Sequence, residues 1–472
     1  MKQAHIKLMS VKKLAMKQQC GCMSFKSQLG FTLASVLFLC IPTTQVWSMD
    51  LLQTYRLALQ QDPDWQATFD QYLADQQQEK LVRGALLPVV GLSASIKRNR
   101  FDPANPQNNQ IMGQSISADS STTQQAGLSL RQPLFRMDLW QQYNQAKTAS
   151  NLNDSRYLSS QQTFTLKVAE AYFDVLRAQS LIKTLDAEEK ALQRQMIMMQ
   201  ARLKEGVVAR TDVSETVAQY QNAVANRIAG ENQIINAQEN LSIILGQSVP
   251  PLAPLATDFE AAPPVPNEVE SWVALAREKS PQLAQARFQY QIAEENRKIQ
   301  HSGYYPQLDL VAQTGWNKQT PSTLFNNDGQ NSAIGFELNL PLYRGGRTKT
   351  AVTQAAYQAS AARNQVDLAE RQVSASVRSA FINLNTDRAR IKARQNAMQS
   401  SELVAKASQA SYDLGLRTIV DVLLAQRNAF AAQQDFMNAR YDYVINVLRL
   451  KQAAGQLDEQ ALAEINQWLI ER

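Results

Sequence analysis

Residues 164–206 read FTLKVAEAYFDVLRAQSLIKTLDAEEKALQRQMIMMQARLKEG, and this stretch decides the fold. Phe164, Val168, Ala171, Val175, Ala178, Ile182, Leu185, Leu192, Met196, Met199 and Leu203 keep 4–3 spacing, with only Glu189 breaking the seam. Such a stripe is the mark of a coiled coil. No proline occurs between Pro133 and Pro250, so one helix over 138–204 would be roughly 100 Å long at 1.5 Å per residue. A globular core has no use for that length, whereas a stalk or a tube does.

Working outward, the same plan occurs twice. Pro63 and Pro88 are spaced like Pro281 and Pro306, and Pro133-Leu134-Phe135-Arg136 matches Pro341-Leu342-Tyr343-Arg344. Gly206…Asp212-Val213 matches Gly415…Asp421-Val422. Two tandem repeats follow. Residues 49–248 form the first, with strands at about 89–98 and 125–132 and long helices at about 138–204 and 211–245. Residues 268–472 form the second, with strands at about 307–316 and 333–340, long helices at about 346–413 and 418–452, and a short closing segment. Between them, residues 249–267 are proline-rich and predict an extended linker. Each repeat thus runs helix, strand, strand, long helix, long helix, a mostly α fold.

The strands alternate. Val90, Leu92, Ala94 and Ile96 interleave with Gly91, Ser93, Ser95 and Lys97; Ile334, Phe336, Leu338 and Leu340 interleave with Gly335, Glu337 and Asn339. Segments of this kind suit outer-membrane strands and equally a half-buried soluble sheet. If they do span a bilayer, four strands cannot close a barrel, and a bilayer tolerates no open edge, so several protomers must share one barrel. The polar stretches 99–124 and 317–330 then become external loops, and Trp140, Tyr304, Tyr305 and Trp316 are candidate interfacial aromatics.

The chain has 472 residues and a formal charge of +6, which at first suggests an anionic partner. Residues 1–48, however, carry six lysines and no acid; beyond them 42 basic residues meet 42 acidic ones. The excess belongs to a leader with a basic start, a thirteen-residue apolar run over 29–41, and a Val46-Trp47-Ser48 cleavage signal. We therefore expect residues 1–48 to be a secretory signal peptide. All three cysteines (Cys20, Cys22, Cys40) lie in it, and Leu37-Phe38-Leu39 before Cys40 does not resemble a lipidation signal. The exported remainder is neutral, cysteine-free and has one histidine, His301. It offers no basis for nucleic-acid binding, disulfides, thiolate metal sites or Ser-His-Asp catalysis. No nucleophile, base and orienter come together, so neither an enzyme nor a cofactor is expected. The Arg344-Gly345-Gly346-Arg347 run lacks phosphate-loop spacing, and Asp62-Pro63-Asp64 predicts a helix start rather than a metal site.

Residues 169–175 (AEAYFDV), 206–213 (GVVARTDV), 341–346 (PLYRGG), 412–423 (YDLGLRTIVDVL) and 439–448 (ARYDYVINVL) resemble the TolC family of outer-membrane exit ducts, over essentially the whole exported chain. The resemblance implies a homotrimer with a shared twelve-stranded transmembrane β-barrel, four strands per protomer, on an α-helical tube crossing the periplasm. A periplasmic adaptor and an inner-membrane pump of the RND, ABC or MFS class would be its partners, with outer-membrane lipid around the barrel. It also implies a gate at the helical tip, where Tyr412 and Arg417 bond Thr211 and Asp212 within and between protomers. The residues themselves allow a second reading of Thr211 and Asp212, as a helix cap with an acid in the first turn. Asp421 looks like the acid ringing the pore constriction, while Leu424 stands where a second ring aspartate is expected. Adaptor docking would involve Lys204, Gly206, Val207, Leu414, Gly415 and Leu416. The competing class is a periplasmic coiled-coil scaffold that never enters a membrane; it needs only one hairpin, and the duplicated strands argue against it.

Overall fold

The computed structural model describes residues 48–100, 110, 111, 114, 115, 120–320 and 328–470. The expected leader, Ser48 apart, lies outside these residues, as does most of the two expected loops. The elements run α1 Leu51–Gln61, α2 Pro63–Gly84, β1 Val89–Arg100, β2 Gln110–Ile111, β3 Gln114–Ser115, β4 Ser120–Arg136, α3 Met137–Lys204 and α4 Arg210–Leu245. The second half runs α5 Val269–Lys279, α6 Pro281–His301, a 3₁₀ turn Ser302–Tyr304, β5 Gln307–Thr320, β6 Gly329–Asn339, α7 Arg347–Asp413, α8 Ile419–Ala453 and α9 Glu459–Asn466.

The repeated prolines have a local cause. Asp62 caps α2 by accepting from the backbone N–H of Asp64 and Trp65, with Pro63 in the first turn. Ser280 and Pro281 do the same for α6. Proline suits this place because its missing N–H would find no partner there. Asp62 is therefore occupied as a cap, and Lys167 of α3 holds its other oxygen at 3.4 Å.

Strands β1, β4, β5 and β6 form one antiparallel sheet in that order. They extend beyond the alternating apolar segments: Arg98 still pairs with Thr122, and Thr123 with Gln319. Backbone ladders need no apolar side chain, so hydropathy marks only the part of a strand that has to be greasy on one side. The register lines up Val90, Leu130, Ala312 and Ile334 in one row, with Leu92 and Leu128 in the next. On the opposite face the rows are Gly91-Ser129-Gln313-Ala333 and Ser93-Gly127-Gly315-Asn331. A bulge between Pro133 and Phe135 interrupts β4.

The long helices pack as two antiparallel pairs, α3 with α4 and α7 with α8. Along the α3 stripe Phe164, Val168, Val175, Ala178, Leu192 and Met199 are buried. The seam's one charge is matched: Arg227 of α4 donates to Glu189 and also pairs with Glu231. Of the methionine run, Met199 is fully buried in packing while Ile197 is exposed.

The main core lies partway along the long helices. There α1, the middle of α3, the ends of α4 and α8, α5 and α9 converge around Tyr55, Tyr172, Phe173, Leu245, Trp272, Tyr443 and Leu462. The proline-rich segment is part of this core, which its composition does not reveal. Leu252, Ala253 and Leu255 are buried, and Tyr172 Oη donates to Ala253 O at 2.8 Å. Tyr443 Oη donates to Ala262 O, Trp272 Nε1 to Pro266 O, and Arg440 to Ala256 O. Prolines leave few N–H groups to satisfy, so side-chain donors from the helices take the carbonyls.

Gly455 ends α8 at φ 72°, and a Cβ there would lie 2.4 Å from the carbonyl oxygen of Lys279. Gly206 has a similar φ of 74° but open space around it. Replacing Gly206 with Ala should therefore cost only about 1–2 kcal/mol of backbone strain, while Gly455→Ala adds overpacking against backbone and should cost about 3 kcal/mol or more. Thermal denaturation of the purified variants in detergent checks the order; equal midpoints would contradict it.

Candidate gate at the helical tip

The two hairpin turns are built alike. After α3, Gly206 N–H donates to Leu203 O and Val207 N–H to Arg202 O; after α7, Gly415 N–H donates to Tyr412 O and Leu416 N–H to Ser411 O. This double bond is a Schellman ending, and it requires the left-handed backbone both glycines adopt. Reversing the chain this tightly leaves its side chains outside: Val207, Leu414 and Leu416 are each at least two-thirds exposed, beside the exposed Lys204.

The turns differ at the start of the next helix. Thr418 caps α8 in a full capping box: Asp421 N–H donates to Thr418 Oγ1, and Asp421 Oδ2 accepts from Thr418 N–H at 3.0 Å and from its hydroxyl at 2.7 Å. The equivalent position before α4 is Ala209, which has no side chain to offer. Because α4 already begins at Arg210, Thr211 falls inside the first turn and does not cap it; Asp212 remains a favourable acid there. The bonds from Thr418 hold the Asp421 carboxyl below the usual carboxylate range, with help from nearby Arg417.

Only part of the expected gate meets within one chain. Tyr412 Oη donates to Met199 Sδ at 3.3 Å, and Arg202 lies over its ring at 5.3 Å while pairing with Asp413 at 3.5 Å. Arg417 turns back along its own hairpin, donating to the buried Ser408 hydroxyl at 2.7 Å. Thr211 Oγ1 meets the Asp212 carboxylate at 3.4 Å. The within-chain bonds from Tyr412 and Arg417 to Thr211 and Asp212 are thus not formed, because both donors have nearer acceptors. Met199, Arg202, Ser408 and Thr418 are the neighbours that sequence reasoning missed. Of these only Thr418 left a signal, the Thr-x-x-Asp spacing of a capping box.

Beneath the turns a small apolar cluster of Leu192, Met199, Ala223, Ile419, Val422 and Leu423 joins the two hairpins. Leu424 is half exposed and Asp421 exposed, one turn apart on α8. This tip has a packed apolar layer inside and exposed polar and apolar side chains around it.

Known proteins share this layout. The family described as outer membrane efflux protein matches residues 54–247 and again 272–456, one match on each repeat. TolC of Vibrio cholerae is 32% identical over 427 residues, covering 90% of this chain and 94% of that protein. The alkaline protease secretion protein AprF of Pseudomonas aeruginosa is 29% identical, covering 90% and 88%. The crystal structure of the Campylobacter jejuni outer membrane channel CmeC shares the fold with a TM-score of 0.73 at 16% identity, over 94% of this chain and 98% of that one. With both repeats matched, and with a relative above 30% identity aligned nearly end to end, the chain belongs to the outer membrane efflux protein family.

Proposed function

We propose that this chain is an outer-membrane exit duct for efflux and type I secretion, a passive homotrimeric channel that opens at its helical tip. One observation carries the reading: a four-stranded sheet whose two outer strands, β1 and β6, each have a partner on one side only among the described residues, with a bare apolar face, joined directly to coils about 100 Å long. Leu92, Ile96, Ile334 and Phe336 are all more than 70% exposed on that face. Water would not tolerate such a patch on a lone periplasmic scaffold, and lipid would.

The aromatic residues fit the same picture. Trp316 lies nine positions after Gln307, the first residue of β5, about 30 Å at 3.3 Å per residue, and Tyr305 sits just before the strand. At a strand tilt near 40° the rise along the barrel axis is about 23 Å, close to the height of an outer-membrane apolar band. Pairing β1 of one copy with β6 of the next in three copies would satisfy every edge with twelve strands. The comparisons support both branches of the reading, since AprF is called a protease secretion protein and the matching family is described as outer membrane efflux protein. The duct performs no chemistry of its own in this reading. An adaptor would dock on the exposed Lys204, Gly206, Val207, Leu414, Gly415 and Leu416, with an RND, ABC or MFS pump behind it. Cell fractionation tests the proposal: a trimer in the outer-membrane fraction is expected, and a soluble periplasmic monomer would refute it.

In the trimer, Tyr412 and Arg417 would exchange their present partners for Thr211 and Asp212 of a neighbouring copy. Losing one hydrogen bond worth about 1 kcal/mol in each of three copies shifts the closed–open ratio more than about a hundredfold. Intact trimers carrying Tyr412→Phe and Arg417→Ser should therefore conduct more in planar bilayers, and unchanged conductance would remove both residues from the gate.

Three Asp421 carboxylates would line the constriction and attract divalent cations, with Leu424 below them in place of further acids. The Asp421 pKa is depressed when folded, so its ionised, capping form is present above the ordinary carboxylate value and lost as pH falls through the lowered one. Thr418→Ala should bring that pKa back up, so that divalent-cation block fades at a higher pH than in the parent. Block titrated against pH in both proteins checks the sign; coincident curves would contradict it.

A further inference from the structure

At the helix-proximal end of the sheet, five charged side chains form one continuous chain on the polar face. Glu337 of β6 pairs with Arg131 of β4 at 3.1 Å, and Arg131 with Asp309 of β5 at 2.9 Å. Asp309 pairs with Arg136 at 3.5 Å, and Arg136 with Asp138 at the start of α3 at 2.8 Å. Both guanidinium groups converge on the same oxygen of the buried Asp309, whose other oxygen is buried without a partner. The bulge makes this possible. Leu134 is skipped in the pairing between Pro133 and Phe135, which returns Arg136 to the polar face beside Asp309. Without the extra residue the period of two would aim Arg136 at the apolar face.

Farther along the strands this face bears no charge from the Gly91 row to the Ser95 row; it is Gly, Ser, Gln, Asn and Ala throughout. The charged chain is therefore one belt where sheet meets helices, separated by three uncharged rows from Lys97 farther out on the same face. Three carboxylates against two guanidinium groups leave one negative charge per protomer. Its two members most open to solvent are Arg131 and Glu337, with side chains 53% and 59% exposed, whereas Asp309 is almost sealed.

We propose that this belt is a second selectivity element of the duct, a cation-favouring ring at the base of the barrel, in which Glu337 supplies the unbalanced charge and Arg131 limits it. The inference rests on the duct reading above, which turns the polar face to the lumen. Charge lining a narrow low-dielectric passage concentrates counter-ions within it. A buried Asp309 anchored by two arginines keeps the exposed pair upright, so the belt acts through fixed charges rather than mobile ones.

Reversal potentials in planar bilayers under a potassium chloride gradient test it, at salt below 0.1 M, where the Debye length exceeds about 10 Å. The background is Asp421→Asn, so that the tip ring does not mask the result. Glu337→Gln should lower the potassium-to-chloride permeability ratio about twofold, and Arg131→Gln should raise it by a similar factor. Arg131→Lys, which keeps the charge, should leave the ratio near that of the background. Glu337 is exposed and its substitution should spare folding, so the ratio of that variant alone decides. Channels with an unchanged ratio in Glu337→Gln would overturn the belt and leave the duct standing. Absence of channels from the parent chain would instead overturn the duct itself.

Discussion

A lipid interior offers no hydrogen bonds, and the whole design depends on that. Each backbone group on a strand edge exposed to hydrocarbon costs several kcal/mol, and strands β1 and β6 each leave one edge unpaired by the described residues of their own chain. In the proposed duct the sheet is therefore an incomplete object that other copies finish. What surrounds it serves that end. The rows of Val90, Leu130, Ala312 and Ile334 make one face compatible with lipid, and the small polar residues opposite leave room for water. The long coils hold the strands at a fixed spacing from a core that folds in ordinary aqueous surroundings.

The two repeats are alike where geometry is demanding and different where function can be tuned. Both hairpins end in the same glycine-based motif, because no other residue adopts that backbone so cheaply. The residue that follows is free to vary, and there the copies diverge: Ala209 leaves α4 uncapped, while Thr418 fixes Asp421 onto α8. A duplicated protein can thus have one plain hairpin and one in which an acid is held in a set position. The repeats also meet asymmetrically, with Tyr412 of the second reaching Met199 of the first.

Much of this was legible in the sequence, for reasons that differ by element. The α3 seam could be read because apolar residues at 4–3 spacing have few other uses, and the turns because positive φ selects glycine. The strands were located by alternation, but their ends were not, since the ladder continues through Thr122 and Thr123 without an apolar stripe. The proline-rich segment reads as an extended linker, because composition reports stiffness and says nothing of which distant tyrosines and tryptophans will take its carbonyls. The candidate gate residues Tyr412 and Arg417 are nameable from motif resemblance, yet their neighbours Met199 and Ser408 are not. The Met199 contact depends on how two hairpins far apart in sequence lie side by side, and a buried serine near the end of a helix has no signature of its own.

The stitched segment between the repeats has a consequence for how the chain can be made. Met49 bridges to Leu252, Leu255 bridges to Leu469, and Asp50 bonds Asn466, so segments near 50, 255 and 468 close one core together. Contacts this far apart in sequence form late, after the entropy of very large loops has been overcome. A chain still emerging into the periplasm would have strands and coils but no closed waist. Assembly is then coupled to completion: a truncated protomer lacks the last turn that seals its centre, and has no settled scaffold on which to present its strand edges to its neighbours.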